Sequence, residues 1–443
     1  MSQLQIIGGT PLHGQLRMTG AKNSLLPIMT ACLMVRGTVC LHDVPKLSDL
    51  RQMLHILAKL GCRINLQGDT VKIDVNELTT HIIDREAAPK IRGSIFVMGA
   101  LLSRLGRVQL PFPGGCAIGS RPIDLHLTLL RQIGVKCHVC RDTITATYIP
   151  RVRRKPTILA LDFPSVGATE NIIQATALGV AGNTYIIHGV AKEPEVVDLC
   201  QFLNQCGAQI DGAGTDTITI HSVANLHGTT YTPIPDRINT GSYLIAAAVV
   251  GGDITLTNTN PAHHVNLLNK LKSVGARITV TKDSIRLIMK RRHAYRFNVH
   301  TAPYPGFPTD LQSQFCVLVA LTKGRSLITE NLFENRFRYV PELTKLGAQI
   351  TVVGNQARIN GVTAFTAQPT APLCPSSYQI PAAETCHGTI VTAHDLRGGV
   401  ALVIAALAAN GTTTVDHAEY IARGHHDIVK DLRQLGANIV ALD

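Results

Sequence analysis

A chain of 443 residues with 45% hydrophobic and 16% charged residues predicts two or three packed domains and excludes a disordered protein. Residues 1–12 lack the basic start and apolar run of a secretory leader. The greasiest stretches, 243–250 and 400–409, are too short to span a bilayer, so a soluble cytoplasmic protein with no membrane partner is expected. The net charge of +12 invites an anionic partner. The basic residues are mostly dispersed, however, and the short clusters at 151–155 (RVRRK) and 290–296 (KRRHAYR) match no nucleic-acid recognition pattern, so no nucleic-acid partner is expected.

From the N-terminus, "TGAKNS" places Lys22 and Asn23 ahead of an apolar segment that ends at Gly37 and leads into the strand-like "TVCL". Residues 47–60 then show helical periodicity, close at Gly61 in "LGCRI", and run into a strand, a turn and a second strand. The pattern recurs. Glycines following a segment of helical periodicity are Gly61, Gly134, Gly207, Gly275, Gly347 and Gly436; those leading from a helix into the next strand are Gly37, Gly106, Gly182, Gly252, Gly324 and Gly411. Glycine suits the left-handed position just past a helix end. Six units of this kind, each with one buried and one exposed helix and several strands, predict an α/β protein. Three units per domain is the natural grouping, with a break near 230–237, "TYTPIPDR".

The second unit holds "PGGCAIGSRP", a loop in which glycines surround Cys116 and Arg121. A thiol near a guanidinium is expected to have a lowered pKa and to be reactive. The eleven cysteines of a cytoplasmic-looking chain do not suggest a disulfide framework. Cys32, Cys40, Cys62, Cys200, Cys206 and Cys316 read as small core fillers. The lone C-x-x-C pair, Cys137 and Cys140, reads as part of a structural hairpin, with no metal called for. The stretch 366–386, rich in Pro, Ala, Thr and Ser, reads as an inserted surface loop.

Charged residues accumulate at the glycine- and proline-marked joints: Lys22, Arg92, Arg121, Asp310, Arg336, Asp395, Arg397 and Arg423. Such an array suits a ligand carrying phosphate and carboxylate, because guanidinium forks pair bidentately with both. No P-loop or dinucleotide fingerprint is present.

The motifs "GAKNS", "PGGCAIGSRPIDLH", "FPSVGATEN", "EPEVVD", "PDRINTGSYL", "TAPYPGFPTDLQSQF", "FENRF" and "DLR" together resemble the UDP-N-acetylglucosamine 1-carboxyvinyltransferases, over essentially the whole chain. The resemblance implies two similar domains, residues 22–234 and residues 1–21 with 235–443. Each would hold three βαβαββ-type repeats around buried helices, an inside-out α/β barrel, with the active site between them. It implies transfer of the enolpyruvyl group of phosphoenolpyruvate to the 3-hydroxyl of UDP-N-acetylglucosamine, the first committed step of peptidoglycan synthesis, with no metal or organic cofactor. Cys116 would be the general acid on a mobile loop, the residue that fosfomycin alkylates in the family, and Asp310 the base. Lys22, Arg121 and Arg397 would grip phosphoenolpyruvate, with Arg92 and Arg423 adding charge. Asn23, Arg121, Pro122, Ile123, Asp124, Leu125, Ser165, Val166, Gly167, Leu332 and Arg336 would line the nucleotide-sugar site, and Asp395 would sit beside the reacting centre. Lys192, Asn239 and Gly398-Gly399 depart from the family pattern, which keeps open a copy of weak or altered activity. The rival readings are a 5-enolpyruvylshikimate-3-phosphate synthase and a non-catalytic nucleotide-sugar binder. Oligomeric state is not legible.

Overall fold

Both glycine series fall where the backbone turns left-handed. In the computed structural model, which describes residues 3–114, 118–119, 123–366 and 389–442, the series from Gly61 to Gly436 has φ between 89° and 108°. The series from Gly37 to Gly411 has φ between 68° and 138°. An L side chain would be strained at each position, so these glycines mark where helices stop and strands begin.

The helices alternate in character along the chain. α1 (Lys22–Ala31), α3 (Val97–Leu105), α5 (Val166–Ala177), α7 (Arg237–Val250), α9 (Gln312–Ala320) and α11 (Leu396–Ala408) are buried nearly all round. α2 (Ser48–Lys59), α4 (Asp124–Gln132), α6 (Pro194–Gln205), α8 (Val265–Ser273), α10 (Val340–Lys345) and α12 (Ile428–Gln434) bury one side and expose the other. A helix apolar on every face must be enclosed, which puts the first set in the interior and the second outside. Packing follows suit: α3 lies against α5, α9 against α11 and α7 against α9.

Buried side chains form two clusters. One runs from Leu25 to Tyr231; the other joins Leu4–Met18 side chains to those from Ile238 to Ile439. The N-terminal segment completes two sheets of the second cluster. Gln3–Ile7 is an inner strand, antiparallel to both Thr412–Asp416 and Asn438–Leu442. Leu12–Arg17 pairs parallel with Gly252–Thr257. The chain passes between the clusters at Ala21 and Pro235, and the passages are bonded side by side: Ala21 N donates to Ile234 O (2.8 Å) and Asp236 N to Thr19 O (2.9 Å).

The cysteines occupy several environments. Cys32, Cys62, Cys200, Cys206 and Cys316 are buried, whereas Cys40 is only half-buried, its Sγ 3.8 Å from His42 Nε2. Cys137 and Cys140 lie on one strand, Lys136–Cys140, paired as a hairpin with Thr143–Thr147. Among the described residues no group of three or more His, Cys, Asp or Glu could hold a metal ion, and no helix is long and apolar enough to cross a membrane. Of the 366–386 stretch only Thr366 is described, in a two-residue strand paired with Ala409–Asn410.

Candidate active site

The buried helices share a second property: their N-terminal ends supply one cleft. Lys22 opens α1, and Ser165 caps α5 by accepting from Ala168 N (3.3 Å). Asp236 caps α7 through Ile238 N and Asn239 N, both 2.8 Å. Asp395 caps α11 through Arg397 N and Gly398 N, both 3.0 Å. Arg92 and Asp310 sit in the short 3₁₀ turns Arg92–Phe96 and Thr309–Leu311 that lead into α3 and α9. Helix N-termini leave N–H groups unpaired and carry partial positive charge, so their convergence favours anions. The outer helices contribute Asp49 from α2, Asp124 and Leu125 from α4, and Glu195 from α6, while Leu332, Arg336 and Arg423 come from the turns before α10 and α12.

The cleft has a volume of about 500 Å³, in the range of small-molecule sites. Its lining includes Lys22, Asn23, Arg92, Asp124, Leu125, Ser165, Val166, Gly167, Asp310, Leu332, Arg336, Asp395, Arg397 and Arg423, all expected from sequence. Ile123 is an exception. It is 7% exposed and packs in the first core instead of lining the cleft. Cys116, Arg121 and Pro122 lie outside the described residues. The flanks of their loop touch both sides of the cleft: Arg92 Nη1 donates to Pro113 O (3.4 Å), and Asn335 N donates to Ile118 O (3.0 Å).

The cations are paired with carboxylates, two of which the sequence pattern did not bring together with them: Asp49 and, across elements, Asp310. Asp49 accepts from Lys22 Nζ (2.7 Å) and from Arg423 Nε (2.9 Å). Asp310 accepts from Arg336 Nη2 (2.7 Å) and Arg397 Nη2 (2.9 Å). Burial alone would raise the pKa of Asp310, but Arg397 and Arg336 outweigh it and hold the carboxyl far below its usual range. Asp49 is likewise lowered, with Lys22 and Arg423 overcoming its burial. Burial lowers Lys22, an effect that Asp49 partly offsets and Arg397 and Arg423 reinforce.

Sequence reasoning missed a carboxylate cluster opposite these cations. Glu170, Glu193 and Glu195 line the cleft beside Arg237. Arg237 Nε donates to Glu195 Oε1 (2.9 Å), and Tyr304 N donates to Glu193 Oε1 (3.1 Å). Burial, then the neighbouring Glu195 and Glu193, push Glu170 well above its ordinary value. The residues were visible in "ATEN" and "EPE", but only the fold brings them together. Asp49 had no signal beyond its place in the first turn of a helix.

The departures from the family pattern have local accounts. Asn239 Nδ2 donates to Gly424 O (2.9 Å), bracing the turn that presents Arg423. A Cβ on Gly398 would lie 2.9 Å from Asp395 Oδ2, and one on Gly399 would lie 2.9 Å from Ile421 Cγ1. Both glycines therefore permit close packing at the start of α11. Nothing in the structure explains lysine at position 192.

Comparison with known proteins places the chain. A family model described as EPSP synthase (3-phosphoshikimate 1-carboxyvinyltransferase) matches residues 6–432. A UDP-N-acetylglucosamine 1-carboxyvinyltransferase 2 of Caldanaerobacter subterraneus subsp. tengcongensis is 42% identical over 442 residues, covering 100% of both chains. A UDP-N-acetylglucosamine 1-carboxyvinyltransferase of Finegoldia magna is 41% identical over 446 residues, covering 100% of this chain and 99% of its own. Among solved structures, the enolpyruvyl transferase NikO from Streptomyces tendae superposes with a TM-score of 0.84 at 25% identity, over 99% of this chain and 98% of its own. An EPSP synthase from Acinetobacter baumannii, 15% identical with a TM-score of 0.71 over the whole of both chains, shares the fold. By full-length similarity and by architecture, the chain belongs to the EPSP synthase family of enolpyruvyl transferases, among its UDP-N-acetylglucosamine 1-carboxyvinyltransferases.

Proposed function

We propose that this protein transfers the enolpyruvyl group of phosphoenolpyruvate to the 3-hydroxyl of UDP-N-acetylglucosamine, releasing phosphate, as the committing step of peptidoglycan synthesis. The observation that carries the reading is the cleft itself. Lys22, Arg397 and Asp310 line it together, at the starts of α1 and α11 and in the turn before α9; the proposed three-repeat domains, 22–234 and 1–21 with 235–443, would each supply part of it. The relatives covering the whole chain, named for this activity, support the same reading.

Addition begins when the sugar hydroxyl oxygen attacks the substituted alkene carbon while the terminal CH₂ takes a proton. Cys116 supplies that proton and Asp310 receives the hydroxyl proton. The resulting phosphate ketal loses a proton from its new methyl group and expels phosphate, restoring the enol ether. Lys22, Arg92, Arg121, Arg397 and Arg423 stabilise the phosphate and carboxylate throughout. Asn23, Asp124, Leu125, Ser165, Val166, Gly167, Leu332 and Arg336 hold the nucleotide sugar, and Asp395 fixes the start of α11.

The ion pairs add a condition to this scheme. A carboxylate held by two guanidinium groups is a weak base. When phosphoenolpyruvate competes for Arg397, one oxygen of Asp310 is released and its basicity rises, so phosphoenolpyruvate itself switches the base on. Lys22 and Arg423 exchange Asp49 for substrate in the same way.

A phosphate-release assay tests the function. Release is expected with phosphoenolpyruvate and UDP-N-acetylglucosamine together but not with shikimate 3-phosphate in place of the nucleotide sugar. Cys116→Ser is expected to slow it by roughly 10²-fold or more. Equal release with shikimate 3-phosphate, or none with either acceptor, overturns the assignment.

A further inference from the structure

A second concentration of arginine lies away from the cleft, on the outer face of one sheet. That sheet runs Asn298–His300, Arg325–Thr329, Gln356–Asn360, Gln349–Val353 in spatial order. Val299, Ile328, Ala357 and Ile359 point into the second core. By strand alternation the intervening residues face outward. Arg296, Asn298, Arg325, Leu327, Arg358 and Asn360 line one depression there.

The register brings the arginines together. Leu327 lies opposite both Asn298 and Arg358, and Arg325 lies opposite Asn360. Leu327 N donates to Phe297 O (2.9 Å), carrying the pairing back towards Arg296 beside Arg325. All three arginines are exposed. The strands carry no acid on this face, and the exposed Lys323 lies just ahead of the Arg325 strand.

The preceding repeat provides an internal control. Its sheet has the matching strand order: Leu12–Arg17, Gly252–Thr257, Ser284–Met289, Arg277–Val280. Counted from the repeat glycines Gly252 and Gly324, Asp253 occupies the place of Arg325. Arg286, opposite Thr255, occupies the place of Arg358, opposite Leu327. His13, opposite Asp253, takes the place of Arg296. There the charges neutralise: Arg286 Nε donates to Asp253 Oδ1 (2.9 Å) and Nη2 to Oδ2 (2.7 Å). In the sheet under discussion the position that would hold the counter-ion is itself an arginine.

We propose that Arg296, Arg325 and Arg358 form a binding site for a linear oligophosphate, supplied by the ligand in place of the missing carboxylate. Adjacent strands stand about 4.8 Å apart and diagonal positions roughly 7–8 Å, so the guanidinium groups cover the span of linked phosphates better than that of one carboxylate. Guanidinium forks match phosphate oxygens bidentately. The basic cluster at 290–296 thereby acquires a role outside the transfer reaction.

Inorganic tripolyphosphate and ATP are the probes. Binding is measured by calorimetry at fixed ionic strength, with the cleft occupied by UDP-N-acetylglucosamine and alkylated by fosfomycin. Arg325→Asp, which rebuilds the pair of the preceding repeat, is expected to weaken tripolyphosphate binding at least tenfold and leave turnover unchanged. Arg358→Gln is expected to weaken it less. Lys136→Asp, an equal charge change on the other core, should leave it unaltered. Equal affinity for the two probes identifies the phosphate chain alone as the ligand; tighter ATP binding adds a nucleoside to the site. Undiminished binding in Arg325→Asp, or an equal loss in Lys136→Asp, overturns the proposal.

Discussion

Asp310 and Glu170 show how buried carboxyl groups are driven in opposite directions within one cleft. Arg397 and Arg336 outweigh burial and hold Asp310 far below its usual range, while burial, then Glu195 and Glu193, push Glu170 well above its own. Replacing Asp310 by Asn keeps the shape and removes the proton acceptor. Turnover is expected to fall by roughly 10²-fold or more, with UDP-N-acetylglucosamine binding still measurable by calorimetry; near-normal turnover removes Asp310 from the base role. Glu170 predicts a pH effect. Its folded pKa lies above the ordinary 4.5, so the folded chain keeps a proton that the unfolded chain releases. Its contribution is present in full below about pH 4.5 and is lost as pH rises towards the folded pKa. Glu170→Gln should therefore raise the unfolding midpoint more at pH 8 than at pH 5, as followed by scanning calorimetry. A gain independent of pH would mean that the side chain is ionised in the fold.

At the scale of elements, periodicity and glycine placement carried most of the information. The segments read as helical, 47–60 and the run before Gly207, are α2 and α6. Each fully apolar segment is an interior helix. The N-terminal strands were harder to place, because a strand has no local mark of the partner it will find. Gln3–Ile7 fills the inner position that a later hairpin strand holds in other repeats, and Leu4, Ile6, Leu12, Leu16 and Met18 are all within 4% of full burial. Burying each such side chain contributes about 1.5–3 kcal/mol, so their joint removal rivals the roughly 5–15 kcal/mol of a whole domain. Deleting residues 1–19 is expected to abolish amide exchange protection in the second core and spare the first. Retained protection in the sheet at Thr412–Asp416 would show the strand to be dispensable.

For the whole molecule, the informative contact is Asp49, because it joins α1, α2 and the turn at Arg423 from the other core. Its removal takes from Lys22 and Arg423 the carboxylate that they share. Asp49→Asn is expected to destabilise the ligand-free protein by about 3 kcal/mol. Phosphoenolpyruvate, whose phosphate substitutes for the lost carboxylate, should narrow that difference. A melting temperature equal to the parent's, or one indifferent to phosphoenolpyruvate, would contradict this role.

The sequence alone determined the repeat, the helix ends and the cationic residues at the joints, because each depends on local physics: periodicity, φ at glycine, and side-chain type. Most of the remaining cleft lining was expected only through the resemblance of motifs such as "GAKNS" and "FPSVGATEN" to a known family. Only the tertiary structure decided which carboxylate meets which cation. The partners Asp49–Arg423, Glu195–Arg237 and Asp310–Arg397 are far apart in the chain and meet across different elements. Charge state is a property of that meeting: desolvation and the nearest opposite charge set it, and neither is written into a residue's immediate neighbours in sequence.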